Sequence, residues 1–222
     1  LNPGRKNLTM ATEIFPWNQE GPNPNVVYQL QIDLINIPEP RVTSVFTPQS
    51  WEEFKNSLKS EGQKDPIKCY LVDSKIWLED GLNRILGLKE IGVSTIQTIV
   101  KKGTAGDVQI GNIITARHRG RENPAQTAEV IKDLLEVEKM PKDMICHRLG
   151  ISKSWFDKLY SIAKLPPEVK DMLKYGHLSV ASAFQLCVLG DSVKQMEIAH
   201  DAANWKYTEQ QTHDRVLEEM NL

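Results

Sequence analysis

Apolar and polar residues alternate with a period of two in the first part of the chain. Residues 28–34 alternate in this way, which predicts a half-buried β-strand that ends or bulges at Ile35. The alternation returns over residues 67–78 on both sides of Asp73-Ser74, so we expect a β-hairpin there. Residues 95–100 (TIQTIV) predict a further strand.

Helical spacing of apolar residues separates these strands. Residues 49–60 carry Trp51, Phe54 and Leu58 on one face, which predicts a helix. A shorter helix is expected to begin at Gly81 and to close with Gly92. Residues 103–112, which contain three glycines, are interpreted as a loop. Strand, glycine turn, helix and strand together indicate a small α/β unit.

After Asn123 the pattern is helical throughout. Asn123 can cap a helix in which Pro124 takes the first position. We expect further helices at 142–149, from Ser152 to about 164, up to Gly176, at 179–189 and from Thr208 to Met220. The predicted fold class is α+β, a small mixed sheet with helices followed by an all-α domain. The predicted divisions are a flexible N-terminal arm at 1–27, a mixed-sheet domain at 28–120 and a helical domain at 121–222.

Composition narrows the class of protein. The 222 residues carry a formal net charge of −2, which excludes a histone-like basic protein. No apolar run reaches about 18 residues, and the first residues lack the apolar core of a signal peptide, so we expect a cytoplasmic protein. Three dispersed cysteines and five histidines form no metal-ligand spacing, so we predict no metal site and assign no catalytic residue.

A helix, a turn that contains glycine and a second capped helix span residues 142–164. This order predicts a helix-turn-helix, whose second helix can enter the major groove of DNA. The candidate DNA contacts are Ser152, Lys153, Ser154, Trp155 and Lys158. Because the net charge of residues 125–170 is only +1, a plain hairpin of two helices stays an alternative.

Two short motifs could bind a polyanion. At residues 79–84, Gly81 permits close backbone approach and Arg84 offers a bidentate phosphate donor. Residues 117–121 (RHRGR) lie in the most basic stretch, 99–124, which has a net charge of +3. A simple turn and a solvated linker are the alternative interpretations.

The order of these motifs resembles ParB-type plasmid and chromosome partition proteins. GQKDPI at 62–67 and LEDGLNR at 78–84 are similar to their N-terminal domain, as is the Arg-His-Arg before Asn123. The stretch from 149 onward is similar to their central helix-turn-helix domain, most specifically in LPPEV at 165–169 and GHLS at 176–179. The resemblance covers about residues 28–205.

The resemblance implies a protein that binds a centromere-like DNA site as a dimer or higher assembly, with a ParA-type ATPase as partner. It also implies that the N-terminal domain, whose fold sulfiredoxins share, binds a nucleoside triphosphate, CTP in many members, with magnesium. The implied nucleotide-binding positions are Gln63, Pro66, Gly81, Asn83, Arg84, Arg117, His118 and Arg119.

The chain departs from the family at two motifs. Gly-Leu-Asn-Arg at 81–84 replaces the common Gly-Glu-Arg-Arg, and Thr-Ala-Arg-His-Arg at 115–119 replaces Glu-Asn-x-Gln-Arg. The second change removes the carboxylate and amide that help to hold metal in the family. Leu82 stands where sulfiredoxins have a reactive cysteine, which excludes that activity.

Other functions stay open for this fold. They are a ParB-related transcriptional regulator, an adaptor that reaches DNA through a partner, a weak nucleoside triphosphatase, and a ParB-fold nuclease or phosphotransferase.

Overall fold

The computed structural model describes residues 15–18, 20–44 and 46–220, which form two units. The first includes the described residues up to Glu39 and residues 43–115, and the second includes residues 40–42 and the chain from Ala116. The division lies within a helix, and the predicted domain boundary at residue 120 stays a prediction. The α+β fold class is confirmed, with a mixed sheet in the first unit and helices in the second.

The first unit is built on a five-stranded sheet. Its strands are β1 (Val27–Gln31), β2 (Ile35–Asn36), β3 (Ile67–Val72), β4 (Lys75–Asp80) and β5 (Thr95–Lys102), in the order β1-β5-β3-β4-β2. The pairs β1/β5 and β3/β4 are antiparallel, whereas β3/β5 and β2/β4 are parallel. The predicted hairpin is present, and Asp73 and Ser74 both take positive φ values in its two-residue turn.

The first predicted strand is shorter than its alternation suggested. It ends at Gln31, and Ile32–Leu34 form a 3₁₀ turn before β2. Ile32 and Ile35 are both buried although they are three residues apart, and in a continuous strand residues at that spacing point to opposite faces of the sheet. The turn therefore carries the chain across the sheet from β1 to β2.

Two helices and most of a third complete this unit: α1 (Pro48–Glu61), α2 (Leu82–Glu90) and α3 (Ala105–His118), whose last residues belong to the second unit. The loop predicted at 103–112 is wrong, because most of it belongs to α3. Thr104 and Asp107 cap this helix reciprocally, since the Asp107 carboxylate accepts from the Thr104 backbone N–H at 2.7 Å and the Thr104 hydroxyl accepts from the Asp107 N–H at 3.2 Å. A Cβ at Gly111 would lie 2.9 Å from the Glu79 carboxyl carbon, so this glycine permits close packing on β4.

The predicted N-terminal arm falls partly outside the described residues. Within them, Phe15 stacks on Trp17 at 4.8 Å between ring centroids, and Trp17 meets the edge of the Tyr28 ring at 5.2 Å. Phe15 and Trp17 pack against the apolar core of the first unit. The end of the predicted arm is thus attached to the sheet.

The second unit is helical. Its helices are α4 (Pro124–Glu136), α5 (Lys142–Leu149), α6 (Lys153–Ile162), α7 (Pro167–Lys174), α8 (Val180–Leu186), α9 (Ser192–Asn204) and α10 (Glu209–Glu219). Asn123 caps α4 as predicted, by accepting from the backbone N–H groups of Ala125 and Gln126. No helix in the described ranges has the length and hydropathy that a membrane-spanning segment needs.

Candidate nucleic-acid interface and phosphate site

The helix-turn-helix is formed by α5 and α6. Gly150 ends α5 with a φ of 63°, and its N–H donates to the carbonyls of Cys146 and His147. The Ser152 hydroxyl then caps α6 by accepting from the Trp155 N–H at 3.0 Å. Phe156 and Leu159, on the inner face of α6, are buried. These contacts fix the position of α6 and leave its N-terminal turn exposed.

The five predicted DNA contacts differ in exposure. Ser152, Lys153 and Ser154 are exposed, whereas Trp155 and Lys158 are half-buried. The Lys158 ammonium lies 4.8 Å from the ring centre of Phe184 on α8 and 6.0 Å from that of Trp155. These aromatic faces attract the cation. The five residues lie between the N-cap of α6 and the start of its second turn; their role as DNA contacts stays a prediction.

Two ion pairs link α5 and α6. Lys153 Nζ lies 2.7 Å from a carboxylate oxygen of Asp143, and Lys142 Nζ lies 2.6 Å from one of Asp157. The hydrogen bond from Lys153 lowers the pKa of Asp143, and the same bond raises the pKa of Lys153. Neither carboxylate was considered as a site residue from the sequence, because lysine–aspartate proximity across a turn has no sequence signal.

In the first unit, four of the predicted nucleotide positions meet around Arg84. Its Nη1 donates to the carbonyls of Asp65 at 2.6 Å and Pro66 at 2.9 Å, and its Nη2 donates to Asp80 at 2.8 Å. The Gln63 amide nitrogen donates to the carbonyl of Asp65 at 2.9 Å. Gly81, at the head of α2, lies beside the guanidinium. These hydrogen bonds stabilise the fold, and the same residues form a candidate phosphate site.

Gly81, whose φ is 116°, is the N-cap residue of α2, and no side chain caps this end of the helix. A Cβ at Gly81 would lie 2.3 Å from Cγ2 of Ile67, so packing as well as φ requires glycine. Asn83 lies half-buried in the first turn. Backbone N–H groups at such an end can hold an anion.

Glu79 is a buried carboxylate beside this cluster. Its backbone carbonyl accepts from the Asn112 amide, and its side chain accepts from the Thr115 hydroxyl at 3.4 Å. Burial raises the pKa of Glu79, and the nearby charges of Lys68 and Lys101 oppose that rise. The sequence did not reveal this environment because α3, which supplies Asn112 and Thr115, was predicted in part as a loop.

The other three predicted nucleotide positions lie in the second unit. Arg117 donates to Glu122 through Nε at 2.7 Å and to the Leu149 carbonyl through Nη1 at 2.5 Å. The bond to Glu122 raises the pKa of Arg117. Arg117 thus satisfies a carbonyl at the end of α5, whereas His118 and Arg119 are exposed.

The second motif brings no carboxylate ligand for a magnesium ion. Thr115 and Ala116 bring no carboxylate to the second motif. Across the part of the chain that the structure describes, no three His, Cys, Asp or Glu side chains are grouped as metal ligands would be. Magnesium prefers carboxylate oxygens together with substrate phosphates.

Comparison with known proteins gives consistent matches. The model of the ParB helix-turn-helix domain matches residues 122–221. A nucleoid occlusion protein of Geobacillus sp. (strain WCH70) is 28% identical over 181 residues, 78% of this chain and 62% of that protein. The chromosome-partitioning protein ParB of Myxococcus xanthus is 23% identical over 186 residues, 84% of this chain and 63% of that protein. The chain thus spans less than two thirds of these relatives.

A solved structure shares the fold. The C-terminally truncated chromosome-partitioning protein ParB from Caulobacter crescentus, complexed to the centromeric parS site, aligns with a TM-score of 0.51 and 19% identity. The alignment covers 86% of this chain and 99% of that one. The resemblance inferred from the motifs is confirmed by these matches. Residues 122–221 thus match the ParB helix-turn-helix domain, and the chain as a whole is similar to ParB-type partition proteins and nucleoid occlusion proteins.

Proposed function

We propose that this protein binds double-stranded DNA at a centromere-like site through α6 and acts in chromosome or plasmid segregation. The observation that supports it is the exposed, capped N-terminal turn of α6 behind the Gly150 turn, within the region that matches the ParB domain. A ParA-type ATPase as partner, a dimer or higher assembly on DNA and a cytoplasmic, DNA-associated location belong to the same proposal.

The residues of α6 suit this role. Ser152, Lys153 and Ser154 are exposed where a recognition helix meets the groove. Hydroxyl and ammonium groups there can donate to phosphates or base edges. Lys158, one turn further along, is held by the Phe184 ring and can position α6 against the backbone.

Replacement of Lys153 or Lys158 by alanine tests this proposal. Each change should weaken binding to a fluorescently labelled duplex and reduce the salt slope of log K by about one unit for each phosphate that the variant no longer neutralises. Fluorescence anisotropy over a series of salt concentrations measures both quantities. Lys194→Ala is the matched control, because Lys194 is an ion-paired lysine on α9 of the same unit. Binding and slopes equal to the control in both variants would show that α6 does not bind DNA.

Two other functions keep the same fold. A ParB-related transcriptional regulator would bind promoter DNA through the same α6. The ion pairing of Lys142 and Lys153 favours an adaptor that reaches DNA through a partner protein, because it reduces the free positive charge. If the protein is such an adaptor, it should bind no duplex on its own. Addition of the partner should then restore DNA binding.

We propose, second, that the first unit binds the phosphates of a nucleoside triphosphate such as CTP at the N-terminus of α2. The uncapped N–H groups and the adjacent Arg84 support this. Phosphate binding would require Arg84 Nη1 to exchange the carbonyls of Asp65 and Pro66 for phosphate oxygens, while the bond to Asp80 can persist.

Calorimetric titration with CTP, with and without magnesium, tests the nucleotide proposal. We expect binding that Arg84→Ala abolishes and that Lys89→Ala, at the other end of α2, retains. Because Arg84 also donates hydrogen bonds that stabilise the fold, circular dichroism should confirm that the Arg84→Ala variant is folded. No binding by the wild-type protein, or equal binding by a folded Arg84 variant, would contradict the proposal.

A further inference from the structure

In the helix-turn-helix, charged residues of α5 pair with residues of opposite charge on α6. Lys142 and Asp143 begin α5, and each pairs with a residue of α6: Lys142 with Asp157, and Asp143 with Lys153. The two pairs therefore fasten the two helices together at the end that faces outward. Residues 142–162 hold four Lys and Arg against two Asp, and both carboxylates are used in these pairs.

Both carboxylates are exposed to an approaching duplex. The side chains of Asp143 and Asp157 are 73% and 61% exposed, and Lys153 is 66% exposed. In a helix-turn-helix the N-terminal residues of the second helix approach the bases, and the first helix crosses the DNA backbone. Phosphates reaching Lys153 would thus come within a few ångströms of the Asp143 carboxylate, well inside a Debye length of about 10 Å.

We propose that Asp143 and Asp157 act as selectivity residues that reduce binding to DNA of arbitrary sequence. This inference rests on the proposed DNA-binding function. A lysine paired with a carboxylate attracts a polyanion less than a free lysine does, and the carboxylate repels the phosphate that would replace it. The sequence-independent part of DNA affinity comes from such phosphate contacts, so the acids lower that part first.

A specific DNA sequence can offset the repulsion between these carboxylates and the phosphates, whereas DNA of random sequence cannot. A carboxylate in the major groove can accept a hydrogen bond from the amino group of cytosine. Asp157 lies on the outward side of α6, one turn after Lys153, where such a contact is geometrically available. The same acid would then be unfavourable on most sequences and favourable on a few, which is how repulsive groups create specificity.

The test compares Asp143→Asn and Asp157→Asn with the wild-type protein on a labelled duplex of random sequence. Each variant should bind about two- to fivefold more tightly, the range expected for an exposed ion pair. The salt slope should become steeper by up to about one unit for each lysine released. Fluorescence anisotropy at several salt concentrations gives both values.

Two controls separate a local effect from a change in net charge. Glu219→Gln removes the same charge from an ion pair with Lys194, between α9 and α10, and should leave affinity for random DNA close to the wild-type value. Asp143→Glu retains the carboxylate and should retain weak binding to random DNA. Thermal unfolding by circular dichroism checks that each variant is folded.

The outcomes are distinguishable. Tighter binding by both asparagine variants, with little change in Glu219→Gln, supports the inference. If the wild-type protein binds DNA but the asparagine variants match Glu219→Gln, the inference is overturned and the proposed function stands. If neither the wild-type protein nor any variant binds a duplex, the proposed function fails and the inference with it.

Discussion

At the scale of single residues, Gly81 connects the fold of the first unit to its candidate phosphate site. It starts α2 with a positive φ, and it lies against Ile67 so closely that a Cβ would overlap that side chain. Gly92 also has a positive φ, 81°, yet a Cβ there would meet no atom within 4 Å. The two glycines therefore separate the cost of backbone strain from the cost of packing.

Substitution of Gly81 by alanine should cost about 3 kcal/mol of the free energy of unfolding, because left-handed strain and overpacking add. The matched change Gly92→Ala should cost about 1 kcal/mol, since it carries only the strain. Urea denaturation followed by circular dichroism measures both. Equal costs would show that contact with Ile67 does not constrain Gly81.

Several residues named from the sequence have structural bonds that the sequence could not reveal. Arg84 and Arg117 were predicted as nucleotide contacts from their motifs, and both donate to backbone carbonyls within their own units. The motif predicts the residue type but not which acceptors its donors reach. For Arg84 the two backbone acceptors belong to Asp65 and Pro66, almost twenty residues earlier in the chain.

At the scale of elements, the sequence predicted those with strong periodicity and clear end signals. The β3–β4 hairpin, α1 and α4 occur close to the expected residues, because alternation, helical spacing and the Asn123-Pro124 start are all local signals. α6 was found for the same reason, since the Ser152 cap and the helical spacing after it are also local signals.

The missed elements depend on tertiary contacts. α3 contains Gly106 and Gly111, which lower helix propensity and concealed the cap at Thr104 and Asp107. Its packing against Glu79 favours those glycines, and that contact links residues more than thirty positions apart. α9 (Ser192–Asn204) was also absent from the prediction, although Asp191 caps it by accepting from the Val193 N–H at 2.8 Å.

At the scale of the whole molecule, net charge limits the DNA binding that we propose. The net charge is −2, and in α5 and α6 two of the lysines are paired with aspartates. Long-range attraction to a polyanion is therefore weak, and most of the affinity must come from contacts made at close range. A protein of this kind should occupy few sites and discriminate strongly among sequences.

DNA recognition by α6 is best tested by immunoprecipitation of the protein from its host, followed by sequencing of the bound DNA. We expect a sharp peak at an inverted repeat, because two copies of α6 on a symmetric dimer would contact matching half-sites. The same experiment with a Lys153→Ala, Lys158→Ala double variant should lose the peak. A flat profile for the wild-type protein would contradict direct DNA recognition by α6 and favour recruitment by a partner.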